Sequence, residues 1–335
     1  MIFINGVSLQ SSSTQESVDV VALLEHPTLV SSSNAFKAIP EMNTVEGSPH
    51  VKHVYVFQRE YATVDPALVQ FVGTDEATTC VGLVIRNPKS GMTSVSHMDS
   101  PNVVDMGLNQ MLSSIIDNNS HADLDVHLIG GYEDISLEHN DGTNGSESDD
   151  MNGYSYPLCS KIIEALQQRR ERFHLRTLFV LGHNTRRDSV GNSYPIVNGF
   201  MVETCSGSVR PATYDRSSRC PDEMVRRVRV MVSSEDPTWK GKLLETYDTK
   251  NDQFQIAACS WTPRWKYIAS SLQQFSDSEI LLQCSTSPLA EGPDFIDNER
   301  RLFSYLIKQP NWRETFPMRQ PRVFERTANG GWTRC

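Results

Sequence analysis

Cys80 closes the run GTDEATTC, and His97 closes the run GMTSVSH that follows it. A thiol with a free pKa of roughly 8.5 is mostly protonated at neutral pH, and an adjacent imidazole can make it a thiolate nucleophile. Between the two residues lie CVGLVIR, then NPKS, then GMTSVSH, which is the pattern of two strands and a turn. With Asn87 to Ser90 as a four-residue loop, Arg86 pairs with Gly91 and Cys80 falls directly opposite His97, with Cβ atoms roughly 5 Å apart. A slip of one residue would send them to opposite faces. A third group should orient the imidazole or polarise the site, and Thr74 or Asp75 could do so from the segment leading into the strand. By default, however, a strand cysteine is a small buried hydrophobe.

The elements that must hold such a pair can be read around it. HVYVFQREYATV, ALVQFVG, CVGLVIR and MTSVSH are strand-like runs separated by Pro and Gly. GLNQMLSSII reads as a helix, and DLDVHLIGG as a strand that stops at a double glycine. KIIEALQQRRERF is a helix feeding the strand LRTLFVLG. DEMVRRVRVMV carries Met224, Val225, Val228, Met231 and Val232 at helical spacing, with its arginines expected on a solvated face. DFIDNERRLFSYLIK is a further helix that Asp294 could cap. Strands and helices alternate loosely, so the expected class is mixed α/β or α+β: a central, largely antiparallel or mixed sheet or sandwich flanked by helices, with the Cys-His pair on a hairpin. A single domain over residues 1–335 is expected, with a disordered acidic insertion at 138–153, EHNDGTNGSESDDMNG.

Composition narrows the function classes. The 335 residues suffice for a sizeable core, and a formal charge of −10 argues against nucleic-acid or anionic-membrane partners. The 7 cysteines are scattered without a C-x-x-C pair or zinc spacing, so free thiols are expected. No basic segment precedes the apolar start MIFINGVSL, and no stretch approaches 18 consecutive apolar residues. A cytoplasmic or nuclear location is the expectation. The chain begins Met1-Ile2, so an exposed N-terminal nucleophile is not expected either.

GTDEATTC with its hairpin, VSHMD, LDVHLIGG, SWTP and STSPLAEGPDF together resemble the protein N-terminal asparagine amidohydrolases, over most of the chain. Threonine six residues before the cysteine and histidine seventeen after it also resemble the arrangement in bacterial chemotaxis-receptor glutamine deamidases and toxin deamidases. The resemblance implies deamidation of an N-terminal asparagine to aspartate, with Thr74, Cys80 and His97 as the catalytic set. It also implies a link to arginylation machinery and degradation. Two features depart from the family: the length of the acidic insertion, and Ile2 where animal members carry proline.

The chemistry would run through a Cys80 thioester with His97 as general acid and base, and it calls for no cofactor. The expected partners are proteins or peptides with a free N-terminal asparagine. Selecting a terminal residue means recognising its α-ammonium, for which a carboxylate is the natural partner. Asp75, Glu76 and Asp99 flank the pair and are the candidates, each of which could equally be a solvated acid. Ser287, with Ser285 and Thr286, could line the pocket, although such residues more often satisfy their own backbone.

Two other readings compete. HADLDVH places His121, Asp123, Asp125 and His127 at spacing two, which on a strand would gather two imidazoles and two carboxylates on one face for a divalent metal. A non-catalytic module that grips N-terminal asparagine is the other; binding alone, however, needs no thiol.

Overall fold

A computed structural model of the chain describes residues 1–9, 19–44, 51–116, 122–134, 153–233, 235–236 and 239–335. The acidic segment 138–153 therefore lies almost wholly outside the described residues, as does His121. The fold is mixed α+β, as expected, and its main layers are two sheets. An eight-stranded sheet runs, from one edge to the other, Leu244–Glu245, Glu60–Val64, Thr93–Met98, Val81–Arg86, Asp123–Gly130, Arg172–Phe179, Ile2–Ile4 and Val7–Ser8. A five-stranded sheet runs Met42–Thr44, Val209–Tyr214, Phe200–Glu203, Phe71–Thr74 and His53–Tyr55. The run HVYVFQREYATV is thus divided, its first strand joining the smaller sheet and its last the larger.

Side-chain alternation explains the layering. Along Val81–Arg86, Val81, Leu83 and Ile85 face one way and pack with Leu108, Met111, Ile162 and Leu166 of the helices Val104–Ser113 and Ser155–Gln167. Val84, with Val95 and Ile129 of neighbouring strands, faces the other way and meets Val72, Phe200 and Val202 of the smaller sheet. At roughly 25 cal/mol per Å² of apolar surface removed from water, both faces are strongly held. A strand buried on both sides reads as the continuous apolar run VGLVIR rather than a clean alternation.

The hairpin pairs differently from the sequence expectation. Arg86 pairs with Thr93, so the connection is six residues long and Gly82, not Cys80, stands directly opposite His97. The cause is local. Asn87 accepts from the backbone N–H of Lys89 at 3.0 Å, its carbonyl accepts from the N–H of Gly91 at 2.8 Å, and Gly91 has φ +78°. Gly91 thereby belongs to the turn and not to the strand. Because partners shift by two, the alternation carried back one residue beyond the strand keeps Cys80 on the face of His97, as a diagonal and not a direct neighbour.

The arginines of the helix Glu223–Val232 also depart from expectation. Arg226 and Arg229 are buried, not solvated, and both clasp the buried Glu60 at 2.6 Å and 2.5 Å. The helix packs Val225, Val228 and Val232 into the same core, so its neighbouring positions are covered too, and a buried guanidinium persists only with such a partner. In the helix Phe295–Lys308, Asp294 holds the N-cap position without capping it; its carboxylate goes to Arg219 at 2.9 Å and Asn298 at 3.2 Å.

Candidate active site

Cys80 sits at the foot of the strand Val81–Arg86, where its carbonyl accepts the N–H of Gly131 at 2.7 Å. The double glycine of LDVHLIGG makes this contact possible. Gly130 has φ +110°, and a Cβ on it would approach the Cys80 carbonyl oxygen to 2.7 Å. A side chain there would displace the cysteine backbone.

His97 lies on the facing strand and is buried. Its neighbour across the pair, Gly82, carries no side chain, and the Phe200 ring fills that space so closely that an added Cβ would lie 2.1 Å from it. From the other sheet, Thr74 ends its strand with Oγ1 2.8 Å from His97 Nδ1. His97 Nε2 is buried and has no hydrogen-bond partner among the described residues. Burial pushes the imidazole down to about 4, with Glu60 opposing that shift. The ring is therefore neutral at neutral pH and available as a base. Cys80 is partly exposed, and its thiol is pushed up by desolvation and by the charges of Asp99 and Glu291, against Arg59 and a hydrogen bond from Thr79. At rest the thiol and the imidazole are thus both neutral.

The segment between Thr74 and Cys80 is held by ions. Asp75 accepts from Tyr55 Oη at 2.6 Å, the Tyr214 N–H at 2.8 Å and Arg219 at 3.0 Å. Glu76, at φ +59°, pairs with Arg219 at 2.6 Å and Arg227 at 2.9 Å. Left-handed backbone at a residue other than glycine costs of order 1 to 3 kcal/mol and recurs at functional sites. Asp99 pairs with Arg59 at 3.0 Å, and Arg59 is itself at φ +61°. Ser287 donates to Thr78 Oγ1 at 2.8 Å, and the Thr79 and Thr286 hydroxyls meet at 3.0 Å, tying the STSPLAE segment to the residues before Cys80.

The structure joins Thr74 to His97 by a hydrogen bond, while Cys80 makes no hydrogen bond to the imidazole; Asp75, Glu76 and Asp99 are held by arginines, and Ser287 is tied to Thr78. Of the two candidates for third member, Thr74 is the one that touches the imidazole. Sequence reasoning missed Arg59, Glu60 and Arg219, whose partners are far away along the chain, and Glu291, whose serine partners are local but which forms no ion pair among the described residues. Only the doubled glycine and the STSPLAE string pointed toward the surroundings.

The polar row on Asp123–Gly130 is arranged otherwise. Asp123 accepts from His174 at 2.8 Å and Arg172 at 3.2 Å, Asp125 from Arg176 at 2.7 Å, and His127 Nδ1 lies 3.0 Å from Thr177 Oγ1. Each member faces a partner on the adjacent strand, and no group of three or more His, Cys, Asp or Glu is placed to hold a metal among the described residues. None of the seven cysteines, all of them among the described residues, forms a disulfide. Among the described residues no helix is long and apolar enough to cross a membrane.

Comparison with known proteins gives the family. The family model for protein N-terminal asparagine amidohydrolase matches residues 43–334. A protein N-terminal asparagine amidohydrolase of Arabidopsis thaliana is 53% identical, over 100% of both chains. Proteins of the same name from Mus musculus and Homo sapiens are 31% and 29% identical, each over 83% of both chains. By the extent of the family match and these identities, the chain belongs to the protein N-terminal asparagine amidohydrolase family.

Proposed function

We propose that this chain hydrolyses the side-chain amide of an N-terminal asparagine, releasing ammonia and leaving aspartate, with Cys80 as nucleophile and His97 as general base and acid. The observation that carries this reading is the bare Nε2 of His97, buried on the face it shares with Cys80 while Thr74 occupies Nδ1. Thr74 Oγ1 also lies 3.4 Å from the Asp75 carbonyl. A hydroxyl has one proton; given to that carbonyl, it leaves the threonine oxygen to accept Nδ1–H and fixes the tautomer whose Nε2 is a base.

His97 Nε2 takes the thiol proton as sulfur attacks the carboxamide carbon, and the tetrahedral oxyanion forms. The imidazolium then protonates the departing nitrogen, the C–N bond breaks, and ammonia leaves behind a thioester. Water, losing its proton to the same Nε2, attacks the thioester, and the C–S bond breaks to give the aspartate carboxyl and the free thiol. Thiol, imidazole and water balance both steps. Proteins exposing such an asparagine are the substrates, and arginylation of the new aspartate is the reaction that would follow. Free thiols fit a reducing compartment, the cytoplasm or the nucleus.

An ammonia-release assay on peptides beginning with Asn, Gln and acetyl-Asn tests the proposal. Turnover is expected for free Asn alone, and Cys80→Ala is expected to lose at least about 10³-fold in kcat while keeping its thermal midpoint. Ammonia release by Cys80→Ala at the unmodified rate would reject the nucleophile. Equal rates on free and acetylated peptide would reject recognition of the terminus.

A further inference from the structure

We infer that Glu291 is the counter-ion for the free α-ammonium of the substrate's first residue. The inference rests on the function proposed above and names the group that selects a chain terminus. The α-nitrogen of asparagine is only three bonds from the carbon that the thiol attacks, so its counter-ion must stand beside the thiol. Asp75, Glu76 and Asp99 flank the pair in sequence, but each is already taken: Asp75 by Arg219, Glu76 by Arg219 and Arg227, Asp99 by Arg59. A substrate ammonium would have to displace a guanidinium that is also bound elsewhere.

Glu291 is different. Its Oε1 accepts from the Ser285 hydroxyl and lies 3.4 Å from the Ser287 hydroxyl, whose proton goes to Thr78 at 2.8 Å, and Oε2 has no hydrogen bond among the described residues. No basic side chain forms an ion pair with it among those residues, and Arg227 acts on it only at longer range. Burial holds its carboxyl above the usual range, which is the condition of a charge lacking a partner in a poorly solvated place. An arriving ammonium supplies that partner.

Position supports the assignment independently. The Ser287 hydroxyl donates to Thr78 at 2.8 Å and lies 3.4 Å from Glu291 Oε1, and the neighbouring Thr286 meets Thr79, so the segment that carries Glu291 is tied to the residues before Cys80. After burial and Asp99, the Glu291 charge is one of the causes that push the Cys80 thiol up. A cation on Oε2 cancels this effect. Docking a free terminus therefore removes an obstacle to forming the thiolate, whereas an internal asparagine, having no ammonium, leaves the obstacle in place.

The test is a binding measurement in the Cys80→Ala protein, by calorimetry. It compares an Asn-initiated peptide with its succinamoyl counterpart, identical but for the missing α-amine. The amine is expected to improve affinity by about 10- to 100-fold, the range of a charge-assisted contact. Adding Glu291→Gln, which keeps the shape and the acceptor for Ser285, is expected to bring the two peptides within about threefold of each other. Glu291→Asp is expected to keep part of the preference. An undiminished preference in Glu291→Gln overturns the proposal, and so does equal loss of both peptides at an unchanged thermal midpoint. If Cys80→Ala itself releases ammonia, the nucleophile assignment has failed, and the same peptide comparison in kcat/KM with Cys80 intact still decides the role of Glu291.

Discussion

His97 and His127 lie on the same face of the eight-stranded sheet, and in their immediate bonding they are near copies. Each sets Nδ1 against a threonine hydroxyl, Thr74 at 2.8 Å and Thr177 at 3.0 Å, and burial pushes each imidazole down to about 4. Their company differs. Thr177 is the cross-strand partner of His127, which on its other side faces Val84, with Asp125 and Arg176 ion-paired nearby. Thr74 reaches His97 from a different sheet, and Cys80 stands one diagonal step away. An imidazole bonded to a threonine is an ordinary way to satisfy a buried histidine. It becomes a base only where its other nitrogen meets a group with a proton worth removing.

The contrast can be broken most directly by treating both histidines alike. His97→Gln is expected to lower kcat by about 10² to 10⁴-fold, the usual share of a general acid-base residue, while His127→Gln stays within about threefold of the unmodified protein. Comparable losses in both, measured by ammonia release, would show that the two sites are not functionally distinct. The threonines give a smaller effect in the same direction. Thr74→Val is expected to lower kcat by about tenfold through loss of the tautomer, with Thr177→Val nearly unchanged in rate.

The smallest effect is in the pH profile. A base depressed to about 4 keeps its lone pair down to that region, so the acid limb of kcat/KM should fall through roughly pH 4 to 5 rather than near the ordinary 6.5. Substituting His127 should leave that limb where it is. Folding stability shares the sign: both imidazoles stay neutral in the folded chain while the unfolded chain gains protons below about 6.5, so stability declines as pH falls through that window.

Much of this was legible in the residues, and what was not has identifiable causes. The two hairpin strands, the sharing of a face by Cys80 and His97, and the double-glycine stop all follow from local pattern, because alternation and turn chemistry act over a few residues. The loop length did not follow, since Gly91 could begin a strand or end a turn and only the Asn87 contacts decide between them. The arginines on Glu223–Val232 were misplaced for a different reason. Helical spacing shows which positions share a face, but not that Glu60, far back in the chain, will cover a second face. Glu291 was invisible in the same way, because what distinguishes it from Asp75, Glu76 and Asp99 is the partner it lacks.

The Glu60 clasp has a mechanical consequence. Glu60 borders His97 on the neighbouring strand, where the Arg59 N–H donates to the His97 carbonyl at 2.8 Å, and Arg226 and Arg229 hang from the helix across the core. Peeling that helix away would strand one carboxylate and two guanidinium groups, at about 3 to 5 kcal/mol for a broken buried pair. Opening the wall behind the imidazole therefore carries that cost, and the clasp helps the ring to keep its aim.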